Sequence, residues 1–142
     1  MELYQKSLGH YKKETGVTFQ RALLKAKNPL EAIRLIFEGF LPEMLADEKG
    51  KGCFIMNCKT EMANQEKDVN QWLLRMQEDS LALFQDLIED GQQQGLINKD
   101  QDAESYAYFV FSSFQGFRMT GILVKDKAVL QNIIGNTIRI LM

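Results

Sequence analysis

Cysteine and histidine are scarce in this chain, and basic residues nowhere gather into a stripe. The two cysteines, Cys53 and Cys58, fall in a predicted helix. At about 100° per residue they stand roughly 140° apart around its axis. A disulfide between them would distort the backbone, and neither a C-x-x-C motif nor a secretory segment is present. The pair therefore reads as reduced thiols of a cytoplasmic protein. The single histidine, His10, cannot supply a His-rich metal site, since structural zinc needs a full tetrahedral ligand set. It reads as a surface residue, and neither a metal nor a cofactor is expected. Lys and Arg number 17 against 19 Asp and Glu, for a net charge of −2 and a pI near 5.5. Duplex DNA is bound largely through cationic contacts to phosphate. The small groups Lys12-Lys13 and Lys49/Lys51 do not make such a surface, so no nucleic-acid site is expected within this chain. Catalytic signatures are missing too: there is no G-x-S-x-G, P-loop, G-x-G-x-x-G, H-E-x-x-H or repeated E-x-x-H. Acidic pairs such as Glu78-Asp79 and Glu89-Asp90 fall on predicted solvent faces, and an enzyme is not expected. The strongly apolar stretch from Tyr106 to Val124 carries Gln115 and Arg118, which argues against a membrane span.

What is present is helical periodicity, with no long alternating run to suggest strands and no repeat, linker or low-complexity tract. At 142 residues, 45% hydrophobic and 25% charged, the chain suits one globular domain with a true core. Leu3, Leu8, Tyr11, Thr15, Phe19, Leu23 and Ala26 trace a first helix from about Glu2 to about Lys27, with a weak spot at Gly16-Val17-Thr18. Asn28-Pro29-Leu30-Glu31 is a helix start: Asn28 caps, Pro29 suits the first position, and Glu31 reaches back as in a capping box. The second helix buries Leu30, Ile33, Phe37, Phe40, Leu41 and Met44, and Pro42 kinks or ends it. After a charged loop at Asp47 to Gly52, a short third helix is predicted over about Cys53 to Met62. Asn64 caps a fourth that presents Val69, Trp72, Leu73, Met76, Leu83, Leu87 and Ile88, with Gly95 as its stop. Asp100 or Asp102 caps the fifth. Asp126 starts a sixth that buries Leu130, Ile133, Ile134, Thr137, Ile138 and Leu141. The fifth helix carries Tyr106, Tyr108, Phe109, Val110, Phe111, Phe114, Phe117 and Met119 around its whole circumference. A helix apolar on most faces must be covered on most faces, and a second copy of the chain is the expected cover. Ser112, Ser113, Gly116 and Gly121 would permit close approach.

The run Lys51-Gly52-Cys53 through Asn57 and Glu61, a long amphipathic helix closing on Gly91 and Gly95, and Gly95-Leu96-Ile97 through Asp100 and Asp102 together resemble the regulatory domain of TetR-family transcriptional repressors. Leu3-Tyr4, Leu8 and Tyr11 resemble the helix that follows the helix-turn-helix domain of such repressors. Gly116 stands where many members place a small residue. The resemblance implies an all-α, six-helix regulatory domain over residues 1–142, dimerising through its last two helices as a four-helix interface. A complete member would carry a DNA-binding domain ahead of Met1, so DNA is expected to be engaged only through that domain.

The resemblance further implies a cavity for a small apolar effector. Phe37, Met44, Phe54, Trp72, Met76, Phe109, Phe114 and Met119 are its candidate lining, with Asn57 and Gln115 as polar anchors; ordinary core packing is the competing account of each. Methionine adapts readily to irregular ligands. Candidate interface residues are Phe109, Phe117, Ile122, Leu130, Ile134 and Ile138. Glu61 reads as a structural hydrogen-bonding group, and Cys58 as a thiol sensor only if a cation or helix N-terminus stabilises its thiolate. The expected mechanism is that of a homodimeric repressor in which the effector shifts the first helix and releases DNA. The alternative is a helical protein-interaction domain with no small-molecule pocket.

Overall fold

The computed structural model describes residues 16–47 and 67–142, with side chains in the second stretch from 71 onward except Trp72. Everything described is helix, turn or irregular connection. Six helical segments follow in order: α1, described over residues 16–25, α2 (Pro29–Gly39), α3 (Leu41–Ala46), α4 (Lys67–Gln93), α5 (Ala103–Thr120) and α6 (Lys127–Leu141). The short third helix predicted over Cys53 to Met62 lies outside the described residues, as do Leu3, Leu8, Tyr11 and His10.

Local chemistry accounts for the boundaries. Asn28 accepts a hydrogen bond from the Glu31 amide at 2.8 Å, satisfying one of the orphan donors at the start of α2. The Glu31 carboxylate reaches back one residue further than a capping box would, accepting from the Lys27 amide at 3.2 Å. Pro42 divides the second predicted helix in two. It cannot donate to a carbonyl four residues back, so α2 stops at Gly39 and α3 restarts around Phe40, whose carbonyl accepts from Met44 at 3.0 Å. Of the two aspartates considered for α5, Asp102 is the cap, accepting from the Ser105 amide at 2.7 Å. Asp126 caps α6 through the Ala128 and Val129 amides.

The end of α4 is a Schellman turn. The Leu96 amide donates to Gly91 at 2.9 Å and the Gly95 amide to Gln92 at 3.2 Å, with Gly95 at φ +76°, a conformation that glycine adopts without a Cβ penalty. Gly91 is needed for another reason: a Cβ there would fall inside the Ile97 side chain, and Ile97 is buried as it folds back over the helix end.

α5 is central. It packs most extensively on α4 and also on α6, while α2 crosses both α4 and α6. Between α5 and α6, Ser113 and Thr137 share a 2.6 Å hydrogen bond. Thr137 donates its own hydroxyl hydrogen to the Ile133 carbonyl at 2.9 Å, so Ser113 is the donor of the pair. The core is unusually rich in phenylalanine. Phe37, Phe40, Phe84 and Phe117 are essentially fully buried, each worth about 1.5–3 kcal/mol from burial. Phe84, at the centre of the α4 face, was not among the residues the periodicity singled out; the flanking Leu83 and Leu87 are only partly buried. In α1 the buried residue is Ala22 and not Leu23, which is 38% exposed, because the helix turns its small side towards α2.

Candidate functional site

Phe114 lies at the middle of the inward face of α5 and gathers rings from three other helices. Its centroid stands 5.2 Å from Phe37, 5.4 Å from Phe40, 5.9 Å from Phe19 and 6.0 Å from Phe84. Interplanar angles of 80° to Phe37 and Phe19 set the positive edge of one ring against the negative face of the next. Despite this company, Phe114 is only partly buried, as is Phe19, whereas the neighbouring inward positions Ala107, Val110 and Phe117 are closed off.

One helical turn beyond Phe114 is Arg118, a charged residue only 3% exposed. Its guanidinium carbon lies 4.3 Å from the centroid of the Phe40 ring, within cation–π range. Its Nη2 reaches Glu43 Oε1 at 3.9 Å, although the Glu43 side chain itself is 59% exposed. Nearby, Lys125 Nζ donates to the Met44 carbonyl at 2.8 Å and to the Gly121 carbonyl at 2.7 Å. This cation therefore ties the last turns of α3 and α5 together, where unsatisfied carbonyls favour positive charge. A separate groove of about 290 Å³ opens between α1 and α2, lined by Thr18, Arg21, Lys25, Leu35 and Glu38; none of the sequence-predicted lining residues borders it.

The predicted site residues divide among several places. Phe37 and Phe114 meet in the aromatic cluster. Met44 and Met76 are buried, Phe109 and Gln115 are partly buried, and Met119 is 38% exposed. Phe54 and Asn57 lie outside the described residues, as do Cys53, Cys58, Glu61 and the side chain of Trp72. Arg118, Phe40, Phe84 and Phe19 were not picked out as lining. Arg118 was legible only as a charge in an apolar segment, and its burial depends on how α3 and α5 cross.

The predicted interface set is similarly split. Phe117, Leu130, Ile134 and Ile138 are 2% exposed or less within the single chain, so their surface is already covered by the chain's own helices. Phe109 and Ile122 remain partly accessible. The exposed large apolar side chains of α5 and α6 are instead Tyr108 (57% exposed), Met119 (38%), Val129 (41%) and Ile140 (51%), with Phe109 and Ile133 partly buried.

Among the described residues no group of His, Cys, Asp or Glu is placed to hold a metal ion, and no helix is long and apolar enough to cross a membrane. The family model described as tetracyclin repressor-like, C-terminal domain, matches residues 29–135. Comparison with curated proteins gave no match, and comparison with solved structures gave none either. The match spans most of the chain and agrees with the all-α architecture: the protein belongs to the TetR-like C-terminal domain family and is a regulatory domain of a TetR-type transcriptional regulator.

Proposed function

We propose that the domain is the effector-binding and dimerising half of a repressor, in which a small molecule seated against the phenylalanine cluster biases the position of α1. The supporting observation is Phe114, a ring at the centre of the inward face that keeps residual access while Ala107, Val110 and Phe117 on the same face of α5 have almost none. Phe19 of α1, also partly buried, packs on the same ring at 5.9 Å, so an occupant seated against the pair would press on the helix that, by the family pattern, leads to the DNA-binding domain. Recognition helices of a dimer must match half-sites about 34 Å apart, and a modest shift of α1 suffices to spoil that match. The effector can bias the two arrangements only by its differential affinity for them, typically about 1–3 kcal/mol. No catalytic role is proposed, and operator binding belongs to the DNA-binding domain.

The homodimer in this reading forms on the outer faces of α5 and α6. Val129, Ile133 and Ile140 share one side of α6, next to Phe109, Ser112 and Gly116 of α5. Sedimentation at micromolar concentration is expected to give the mass of two chains. Val129→Asp combined with Ile140→Asp, both exposed positions, is expected to yield a folded single chain. A wild-type monomer, or a double variant that still pairs, would remove this interface. A purely protein-interacting domain is the competing reading; it predicts the same dimer but no change in melting with any small molecule, since only a ligand of the folded state raises stability.

A further inference from the structure

The groove between α1 and α2 brings charges of both signs to one hollow without letting them meet. α1 is described over residues 16–25 and α2 begins at Pro29, so a short connection joins the two helices at one end of the groove. Towards the other end they nearly touch: a Cβ on Gly39 would stand 2.9 Å from Thr18 Cγ2. Between these points lies a hollow of about 290 Å³, lined on one wall by Arg21, Ala22 and Lys25 and on the other by Leu35 and Glu38. Positions three and four apart share a helix face, which sets Arg21 and Lys25 together beside Ala22, and Glu38 beside Leu35. Arg21 and Lys25 are exposed and Glu38 is half-buried. Among the described residues, no ion pair or side-chain hydrogen bond engages any of these three. An approach of about 4 Å or less between nitrogen and oxygen would make an ion pair, so the hollow holds the opposite charges further apart than that.

A simple anion entering the groove would find two cations but also face the Glu38 carboxylate, and a simple cation would meet the reverse. A molecule carrying both charges answers both walls. The volume lies just under the range of about 300–1,000 Å³ usual for drug-sized ligands, which selects a compact molecule, and Ala22 and Leu35 supply an apolar floor. We propose that the groove binds a compact zwitterion with an apolar group, of the kind an aliphatic amino acid represents. Its carboxylate faces Arg21 and Lys25, its ammonium faces Glu38, and its side chain lies on Ala22 and Leu35. The site is separate from the phenylalanine cluster. By bridging α1 to α2 the ligand favours the arrangement in which the two helices are held together. Binding itself is independent of the sensor reading at Phe114; only a consequence for DNA rests on α1 being the lever.

The test is an NMR titration of the full chain at neutral pH with L-leucine, N-acetyl-L-leucine, which lacks the ammonium, and L-leucinamide, which lacks the carboxylate. Exposed charge contacts contribute modestly, about two- to fivefold in affinity each. Leucine is expected to shift amide signals within residues 18–25 and 35–39 and to bind about two- to fivefold more tightly than either analogue. Glu38→Gln is expected to erase the difference between leucine and N-acetylleucine while leaving the difference from leucinamide. Arg21→Gln combined with Lys25→Gln is expected to do the converse. None of the three residues is buried, and unchanged core signals report that each variant is folded. No leucine-induced shift in these residues, analogues that bind as well as leucine, or differences indifferent to the substitutions would overturn the proposal, and each would leave the sensor reading at Phe114 as it stands.

Discussion

Asn98 shows how much of the fold one polar side chain can hold. Its Nδ2 donates to the Ile140 carbonyl at 2.9 Å, and its backbone amide donates to Leu141 at 2.8 Å. Its Oδ1 accepts from the Tyr106 hydroxyl at 2.5 Å and from the Asp100 amide at 3.0 Å. One residue between α4 and α5 thus satisfies the last carbonyls of α6, which have no partner within their own helix. Replacing Asn98 with Ala strands a buried hydroxyl and helix-end carbonyls together. The expected loss is about 2 kcal/mol, from unsatisfied groups at about 1–3 kcal/mol, measured by urea denaturation. Tyr106→Phe is expected to cost about 1 kcal/mol. A double variant should lose less than the sum, because the two side chains share one bond. Sequence alone did not mark Asn98: its partners lie up to 42 positions away, and only the packing of α6 against the α4–α5 connection brings them near.

Helix ends were the most legible elements. Asn28, Asp102 and Asp126 cap through short-range geometry that a handful of consecutive residues dictate, and Gly95 stops α4 because its backbone needs a positive φ. Asp102→Ala is expected to cost about 1 kcal/mol, and Gly95→Ala about as much through the strain of its left-handed backbone. Both should appear as lowered denaturation midpoints with unchanged slopes. The fate of Pro42 shows where local reading stopped. Loss of its amide donor explains why α2 ends, but continuation as α3 in a new direction depends on Phe40 and Met44 finding burial against α5 and α6. The α4 face shows the same limit: periodicity located the stripe, yet Phe84 was passed over for Leu83 and Leu87. A helix presents its centre line only relative to a neighbour, here α5.

At the scale of the whole molecule, the all-round apolarity of α5 has two causes. One side is consumed by α4 and the Phe cluster, which covers Val110, Phe111 and Phe117; the other keeps Tyr108 in solvent. α6 is likewise divided, with Leu130, Ile134 and Ile138 inside the chain and Val129 and Ile140 outside. Aspartate at Ile134 is therefore expected to unfold the chain, as burying an unpaired charge does, and to lose the helical circular-dichroism signal. The same substitution at Val129 should alter association alone. Gly116 supplies a further test of the outer face. A Cβ at this position would meet nothing within 4 Å in the single chain, so Gly116→Ala should stabilise the monomer by up to about 1 kcal/mol through helix propensity. If the two copies approach closely there, the same change raises the dimer dissociation constant in sedimentation.

Periodicity, caps and the spacing of glycines and prolines determined that this chain is a helical bundle, roughly where its helices begin and end, and which family it joins. Each of these follows from interactions within a few residues of chain, or from patterns repeated along it. The tertiary structure alone decided which side of α5 and α6 is core and which is open. It also set Phe114 with residual access and drew Arg118 out of water beside Phe40. Those outcomes depend on how helices distant in sequence cross, because burial is a property of neighbours and not of the residue buried.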